Sequence, residues 1–324
     1  MRGAGPHRYA THKGMSNPYV FIVGCPRSGT TLLQRLVNAH PDIAITPETH
    51  WIPRLYARAW ALRSDGPVKR KLIRRVLGHP KFARLKISPE EIGRLTGKGR
   101  PSSYENLVSR IFDLYGERQK KPLVGDKTPD YVRSIETLHS LWPSARFVHV
   151  IRDGRDVALS MMEWPKFRPK PGDFATWRDD PVSTAALWWE LNVRLGRQAG
   201  KSLGPELYYE IRYESLVSRP QEESAALCGF LRVPYADAML RFYEVPAASD
   251  PGLEVKRAHL PVTRGLRDWN SQLLPRDNER FEAAAGALLE ELGYARVVPR
   301  PRPEVLEHVG RIRHLFAEDP RVRD

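Results

Sequence analysis

With 324 residues, 41% of them hydrophobic and 28% charged, the chain is long enough to bury a substantial core, and its composition excludes disordered, collagen-like and membrane-embedded classes. No apolar run reaches the roughly 18 residues of a membrane span, and two cysteines, Cys25 and Cys228, cannot make a disulfide framework, so a soluble protein of a reducing compartment, the cytoplasm, is expected. The formal charge is +14 and is unevenly placed, because residues 52–121 hold eighteen Lys or Arg against six Asp or Glu.

The first sixteen residues mix Arg2, His7, Arg8, His12 and Lys13 with glycine, lack an apolar segment, and read as a flexible tail rather than a secretory signal. Tyr19 to Val23 is a short β-branched, apolar run that reaches Gly24, and Thr31 to Val37 has helical spacing. Asp42 to Ile45 reads as a second strand. The basic stretch 52–121, broken at Ser64 to Pro67 and at Gly97 to Pro101, reads as several short helices forming a cap. Leu123 to Lys127 is a third strand, Tyr131 to Leu141 a helix, and Arg146 to Ile151 a fourth strand; helical spacing resumes over Val157 to Met162.

Residues 165–181 are rich in proline and charge and predict an exposed loop over a site. Thr184 to Ala199 reads as a helix, Leu207 to Ile211 as the last core strand, and Pro220 to Leu231 and Asp277 to Leu292 as helices. Strands alternating with helices predict an α/β domain over 17–296, with a parallel sheet flanked by helices and a basic helical cap insertion at 52–121; residues 297–324 read as a charged tail. The cap's charge faces solvent, an anionic acceptor or a membrane surface, and with no aromatic interleaving no nucleic-acid partner is expected.

Gly24-Cys-Pro-Arg-Ser-Gly-Thr-Thr31 has the glycine spacing of a phosphate-binding P-loop, with Thr30 where a P-loop lysine would stand. A loop between strand and helix presents backbone N–H groups and the positive end of the helix dipole to an anion. Arg27 adds a permanent forked cation suited to a phosphosulfate that needs no metal clamp. Cys25, inside the loop, and His149, inside an apolar strand, read as packing residues, and no cluster has metal-ligand spacing, so no metal is expected.

These residues resemble those of sulfotransferases that use 3'-phosphoadenosine 5'-phosphosulfate. Pro26 to Thr31 is similar to the family's 5'-phosphosulfate loop, and Phe147 to Ser160 to its 3'-phosphate segment, which implies that Arg152 and Ser160 bind that phosphate. Ala39 to Asp42 and Pro47 to Arg54 are similar to the tyrosylprotein sulfotransferase branch, which implies Glu48 as catalytic base; His50 replaces a substrate-contacting arginine there, and His50 and Trp51 are candidates for touching the acceptor. Gly125 to Pro129 places Lys127 at a catalytic lysine. Tyr213 matches an adenosine contact, while Lys256, in a basic segment like the family's C-terminal donor-binding stretch, has no residue-by-residue match.

Sulfuryl transfer needs a base, cations and a held leaving phosphate. Glu48 is assigned as base, Arg27 and Lys127 as cations, and the backbone of Ser28, Gly29, Thr30 and Thr31 as the cradle. The acceptor, a hydroxyl or amine on a small molecule, glycan or lipid, is not specified, although the basic cap favours an anionic one. The rivals are a Mg-dependent P-loop nucleotide kinase, for which Asp126 is the available metal carboxylate, and a non-catalytic nucleotide-binding scaffold.

Overall fold

A computed structural model describes residues 18–60, 68–96, 101, 103–163, 174–244, 261–262 and 267–323. Five strands, β1 (Val20–Gly24), β2 (Ile43–Thr46), β3 (Leu123–Lys127), β4 (Arg146–Ile151) and β5 (Tyr208–Arg212), form a wholly parallel sheet in the order β2-β3-β1-β4-β5. All five strand ends that point the same way therefore lie on one edge. The chain steps from β1 to one side and later to the other, which opens a crevice there.

Alternation along β1 divides the core. Phe21 and Val23 face one layer with Leu107, Ile111, Leu138 and Trp142, and Val20 and Ile22 face the other with Leu33, Leu36 and Leu227. Such two-sided burial is why the strand reads as an unbroken apolar run. The helices are α1 (Thr30–Ala39), α2 (Ile52–Trp60), α3 (Arg70–Leu77), α4 (Pro89–Thr96), α5 (Tyr104–Gln119), α6 (Ile135–Leu141), α7 (Gly154–Met162), α8 (Thr176–Asp179), α9 (Pro181–Leu203), α10 (Tyr213–Ser218), α11 (Pro220–Leu231), α12 (Trp269–Gln272), α13 (Pro275–Glu291), α14 (Pro303–Glu318) and α15 (Pro320–Arg323). Among the described residues no helix is long and apolar enough to cross a membrane.

The cap is α2 to α5. Leu72, Ile73 and Val76 of α3 join the same cluster as Phe21, so the cap shares the domain's core while Lys69, Arg70, Lys71, Arg74 and Arg75 stay exposed.

Three sequence expectations change. The helix expected from Tyr131 begins as a 3-10 turn over Pro129–Ser134, because Tyr131 is drawn toward the β2 loop: its hydroxyl pairs with Thr49 Oγ1 at 2.6 Å and accepts from the Ile52 N–H at 3.0 Å. In the expected exposed loop 165–181, Phe174 and Trp177 are buried and α8 forms.

The segment beyond 296 is no mere tail. Val309, Ile312 and Phe316 recur at helical spacing and bury one face of α14 against the α9 and α13 layer, and Arg302 locks onto Glu279 of α13 at 2.8 Å. The charged residues that dominate its composition occupy the other face. Phe316, whose ring lies 5.3 Å from that of Phe174, should lose about 3–5 kcal/mol on replacement by alanine, read as a lowered urea midpoint with unchanged slope. The expected tail 1–16 lies outside the described residues.

Candidate active site

The loop after β1 is shaped by backbone conformation. Gly24 (φ +150°) leaves the strand where a Cβ would meet the Val150 carbonyl oxygen at 2.6 Å, and Arg27 (φ +80°) and Gly29 (φ +97°) adopt left-handed turns. Gly29 has a second constraint, since a Cβ there would lie 2.3 Å from the ring of Tyr213. Alternating turns of this kind align successive N–H groups into an anion-binding concavity at the start of α1, which has no acidic residue in its first turn and no side-chain cap. Cys25 is fully buried and its thiol is pushed up by desolvation, so it packs rather than reacts.

Arg27 reaches across to the second motif. Its Nε donates to Ser160 Oγ, on α7, at 2.9 Å. Burial, with Arg267 and Arg152 close by, lowers the Arg27 guanidinium to about 10. It remains charged at neutral pH, and three guanidiniums thus converge where β1 and β4 end. Arg152 stacks over the Tyr213 ring at 4.3 Å and donates from Nη2 to Asp156 at 3.0 Å. Its buried Nε and the buried Ser28 Oγ have no hydrogen-bond partner among the described residues. Orphaned donors beside a cluster of like charges fit an anionic ligand.

The floor beneath Arg152 is a buried ionic hub. Arg155, 1% exposed, pairs with Asp153 at 2.8 Å and Glu282 of α13 at 3.1 Å, and stacks on Trp269 at 3.4 Å. Trp269 N–H donates to Asp156 at 3.1 Å, so Asp156 serves Arg152 and the C-terminal segment together.

Glu48 lies in the loop between β2 and α2. That loop is pinned from β3 and the following turn: Thr46 Oγ1 donates to Asp126 at 2.9 Å and the Thr49 N–H donates to Thr128 Oγ1 at 3.0 Å. Lys127, 2% exposed at the end of β3, donates to Glu48 Oε1 in a short ion pair and lies 3.4 Å from Thr31 Oγ1 on α1. His50 Nε2 sits 3.1 Å from Glu48 Oε2. The carboxylate is therefore held from two sides and linked through Lys127 to the anion loop.

The described residues among the expected donor and catalytic groups meet on one sheet edge: Glu48, Lys127, Arg27, Ser28, Gly29, Thr30, Thr31, Arg152, Ser160 and Tyr213. Trp51 does not join them. The left-handed turn at His50 sends the two neighbouring side chains apart, so His50 is part-exposed and Trp51 is fully buried beside Phe82, in the cap core rather than on an acceptor surface. Tyr213 is buried between Gly29 and Arg152, and its visible work is to wedge those two elements. Lys256 lies outside the described residues.

Asp126 is completely buried on Thr46, with its carboxyl pushed up to about 6 by desolvation; it ties strands together and does not offer an open metal position. His149 is also enclosed, with Nδ1 2.6 Å from the Tyr208 hydroxyl and a pKa driven down to about 3 by burial. Sequence reasoning missed Asp130, whose Oδ2 is 3.7 Å from His50 Nδ1. A carboxylate three residues after an expected strand-end lysine was the available signal for Asp130. Among the described residues no three His, Cys, Asp or Glu gather at metal-binding spacing.

Comparison with known proteins identifies the family. A family model described as Sulfotransferase family matches residues 18–237. Protein-tyrosine sulfotransferase 1 of Danio rerio is 27% identical over 307 residues, covering 91% of this chain and 79% of the relative, and its Homo sapiens counterpart is 27% identical over 319 residues, covering 94% and 78%. Among solved structures, the sulfotransferase domain of the Synechococcus PCC 7002 olefin synthase superposes with a TM-score of 0.56 at 24% identity, over 87% of this chain and 97% of that one. The sulfotransferase domain from the curacin biosynthetic pathway gives 0.59 at 21% identity, over 86% and 98%. Both share the fold.

Proposed function

Since the chain belongs to the sulfotransferase family, we propose that its transfer of a sulfuryl group from 3'-phosphoadenosine 5'-phosphosulfate to a hydroxyl or amine uses Glu48 as base and Arg27 and Lys127 as the cations at the reacting centre. The donor supplies the activated sulfuryl group; the chain binds, orients and moves the proton. Glu48 takes the acceptor's proton, Lys127 and Arg27 offset charge on the transferring group, and the N–H groups of Ser28 to Thr31 hold the phosphate that leaves. Arg152 and Ser160 hold the 3'-phosphate.

The observation that carries this reading is the Arg27 to Ser160 hydrogen bond. It joins the loop after β1 and the helix after β4 into one continuous cationic pocket, as one donor with two anionic ends requires. Isothermal titration tests it. Adenosine 3',5'-bisphosphate should bind with excess EDTA present and compete with the donor; binding of ATP that requires Mg²⁺ would instead favour the kinase, and donor binding without any turnover the scaffold.

For the acceptor, we favour a small molecule, glycan or lipid bearing negative charge near its hydroxyl or amine. The His79 imidazole is held below its ordinary value by burial and by positive neighbours, Arg54 and Lys81 among them, and this basic character of the cap supports an anionic acceptor. The relatives' names specify protein tyrosine; His50, in place of that branch's arginine, supports a different acceptor contact. The exposed basic face of α3 suits an acceptor presented at an anionic surface.

A further inference from the structure

Among the described residues, Lys127 and His50 hold Glu48 as donors of different kinds. Lys127 holds Oε1, and the same ammonium also stands within 3.4 Å of Thr31 Oγ1 at the anion loop, so it serves two masters. His50 holds Oε2 from the opposite side at 3.1 Å. The left-handed backbone at His50 (φ +57°) turns its ring back toward the residue two positions earlier, a conformation that a non-glycine residue keeps where surrounding contacts enforce it. Here the enforcing contacts are the Thr49 and Ile52 hydrogen bonds on either side. The other ring nitrogen, Nδ1, faces the Asp130 carboxylate at 3.7 Å, from the turn that follows β3.

A carboxylate oxygen and an imidazole nitrogen at 3.1 Å need one proton between them. With Glu48 ionised, that proton belongs to Nε2, and His50 is the donor in either of its charge states. The Asp130 carboxylate faces the opposite ring nitrogen, Nδ1, at 3.7 Å. Its own carboxyl is raised by desolvation and responds to the charges of His50, Glu48 and Lys127, so the four groups form one electrostatic unit.

We propose that His50, backed by Asp130, is a positioning residue that fixes the Glu48 carboxylate when Lys127 turns toward the transferring group. This rests on Glu48 being the base. In the step concerned, the acceptor oxygen forms its bond to sulfur as the sulfur to phosphate-oxygen bond breaks. The electron pair leaves with adenosine 3',5'-bisphosphate, and the acceptor's proton passes to Glu48 Oε1. Lys127 is then drawn to the sulfuryl oxygens and no longer restrains Oε1. The His50 contact on Oε2 then keeps the carboxylate turned toward the acceptor.

The test uses the full chain, with water as acceptor and release of adenosine 3',5'-bisphosphate as the readout, and separate titration of that nucleotide for affinity. Loss of a carboxylate's orientation should lower kcat of His50→Ala about 30-fold, with nucleotide affinity within about twofold. His50→Gln retains a side-chain N–H and should recover kcat to within about fivefold of the parent. Asp130→Asn should cost about tenfold alone and nothing further in the His50→Ala background, because it acts through the ring. The proposal is overturned if His50→Ala stays within threefold, if glutamine is no better than alanine, or if the two losses multiply. Glu48→Gln separates the two levels. A silent Glu48→Gln with an active His50→Ala sinks only the positioning role, and an active Glu48→Gln sinks the base assignment and this inference together.

Discussion

Glu48→Gln is expected to lower turnover about 100- to 10,000-fold while nucleotide affinity changes little. The amide is nearly isosteric and still accepts from Lys127 through its carbonyl oxygen, so the loop pinned by Thr46 and Thr49 should keep its shape. What it cannot do is take a proton from an attacking hydroxyl or amine. The site makes this separation clean, because Glu48 touches Lys127 and His50 but none of the three arginines of the anion pocket by hydrogen bond. Steady-state turnover and a titration of adenosine 3',5'-bisphosphate on the same sample decide it. Turnover within about threefold of the parent would mean that another group takes the proton.

Arg152→Ala should cost donor affinity about 10- to 100-fold, the worth of one charge-assisted hydrogen-bonded anion contact of about 1.5–3 kcal/mol. Affinity alone would not be specific, since the substitution also leaves Asp156 without its 3.0 Å partner and uncovers the face of Tyr213. The discriminating quantity is a ratio. The parent should bind adenosine 3',5'-bisphosphate much more tightly than adenosine 5'-phosphate, and in the variant that preference should collapse. Structural damage would weaken both ligands together and leave the ratio intact. A preserved preference would therefore remove Arg152 from the 3'-phosphate site whatever its effect on stability.

The sheet and its site edge were legible because their signals are local. A β-branched run reaching glycine, followed by Arg27, Ser28 and a helical pattern, specifies strand, anion loop and helix within about twenty residues. Arg152 and Ser160 were legible for the same reason, with a turn and the first turns of α7 between them. What escaped were long-range choices. Whether Trp51 faces acceptor or core depends on the handedness of one backbone turn, and aromatic character alone does not tell. Asp130 acquires meaning only when the turn after β3 packs against the loop after β2. In α14, charged residues on the solvent face mask a thin stripe of Val309, Ile312 and Phe316. Tyr213 is read as a nucleotide contact by resemblance, and its packing into the space that Gly29 leaves open emerges only in the fold.

The Arg155 hub makes the far end of the chain a foundation for the pocket. A guanidinium almost wholly withdrawn from water is tolerable only while every carboxylate around it is in place, and one of them, Glu282, is supplied from α13, well beyond the family-matched stretch 18–237. Lineages that reshape α13 must keep that carboxylate or remake the turn under Arg152 along with it, so drift in the last quarter of the protein is tethered to chemistry specified in its first half.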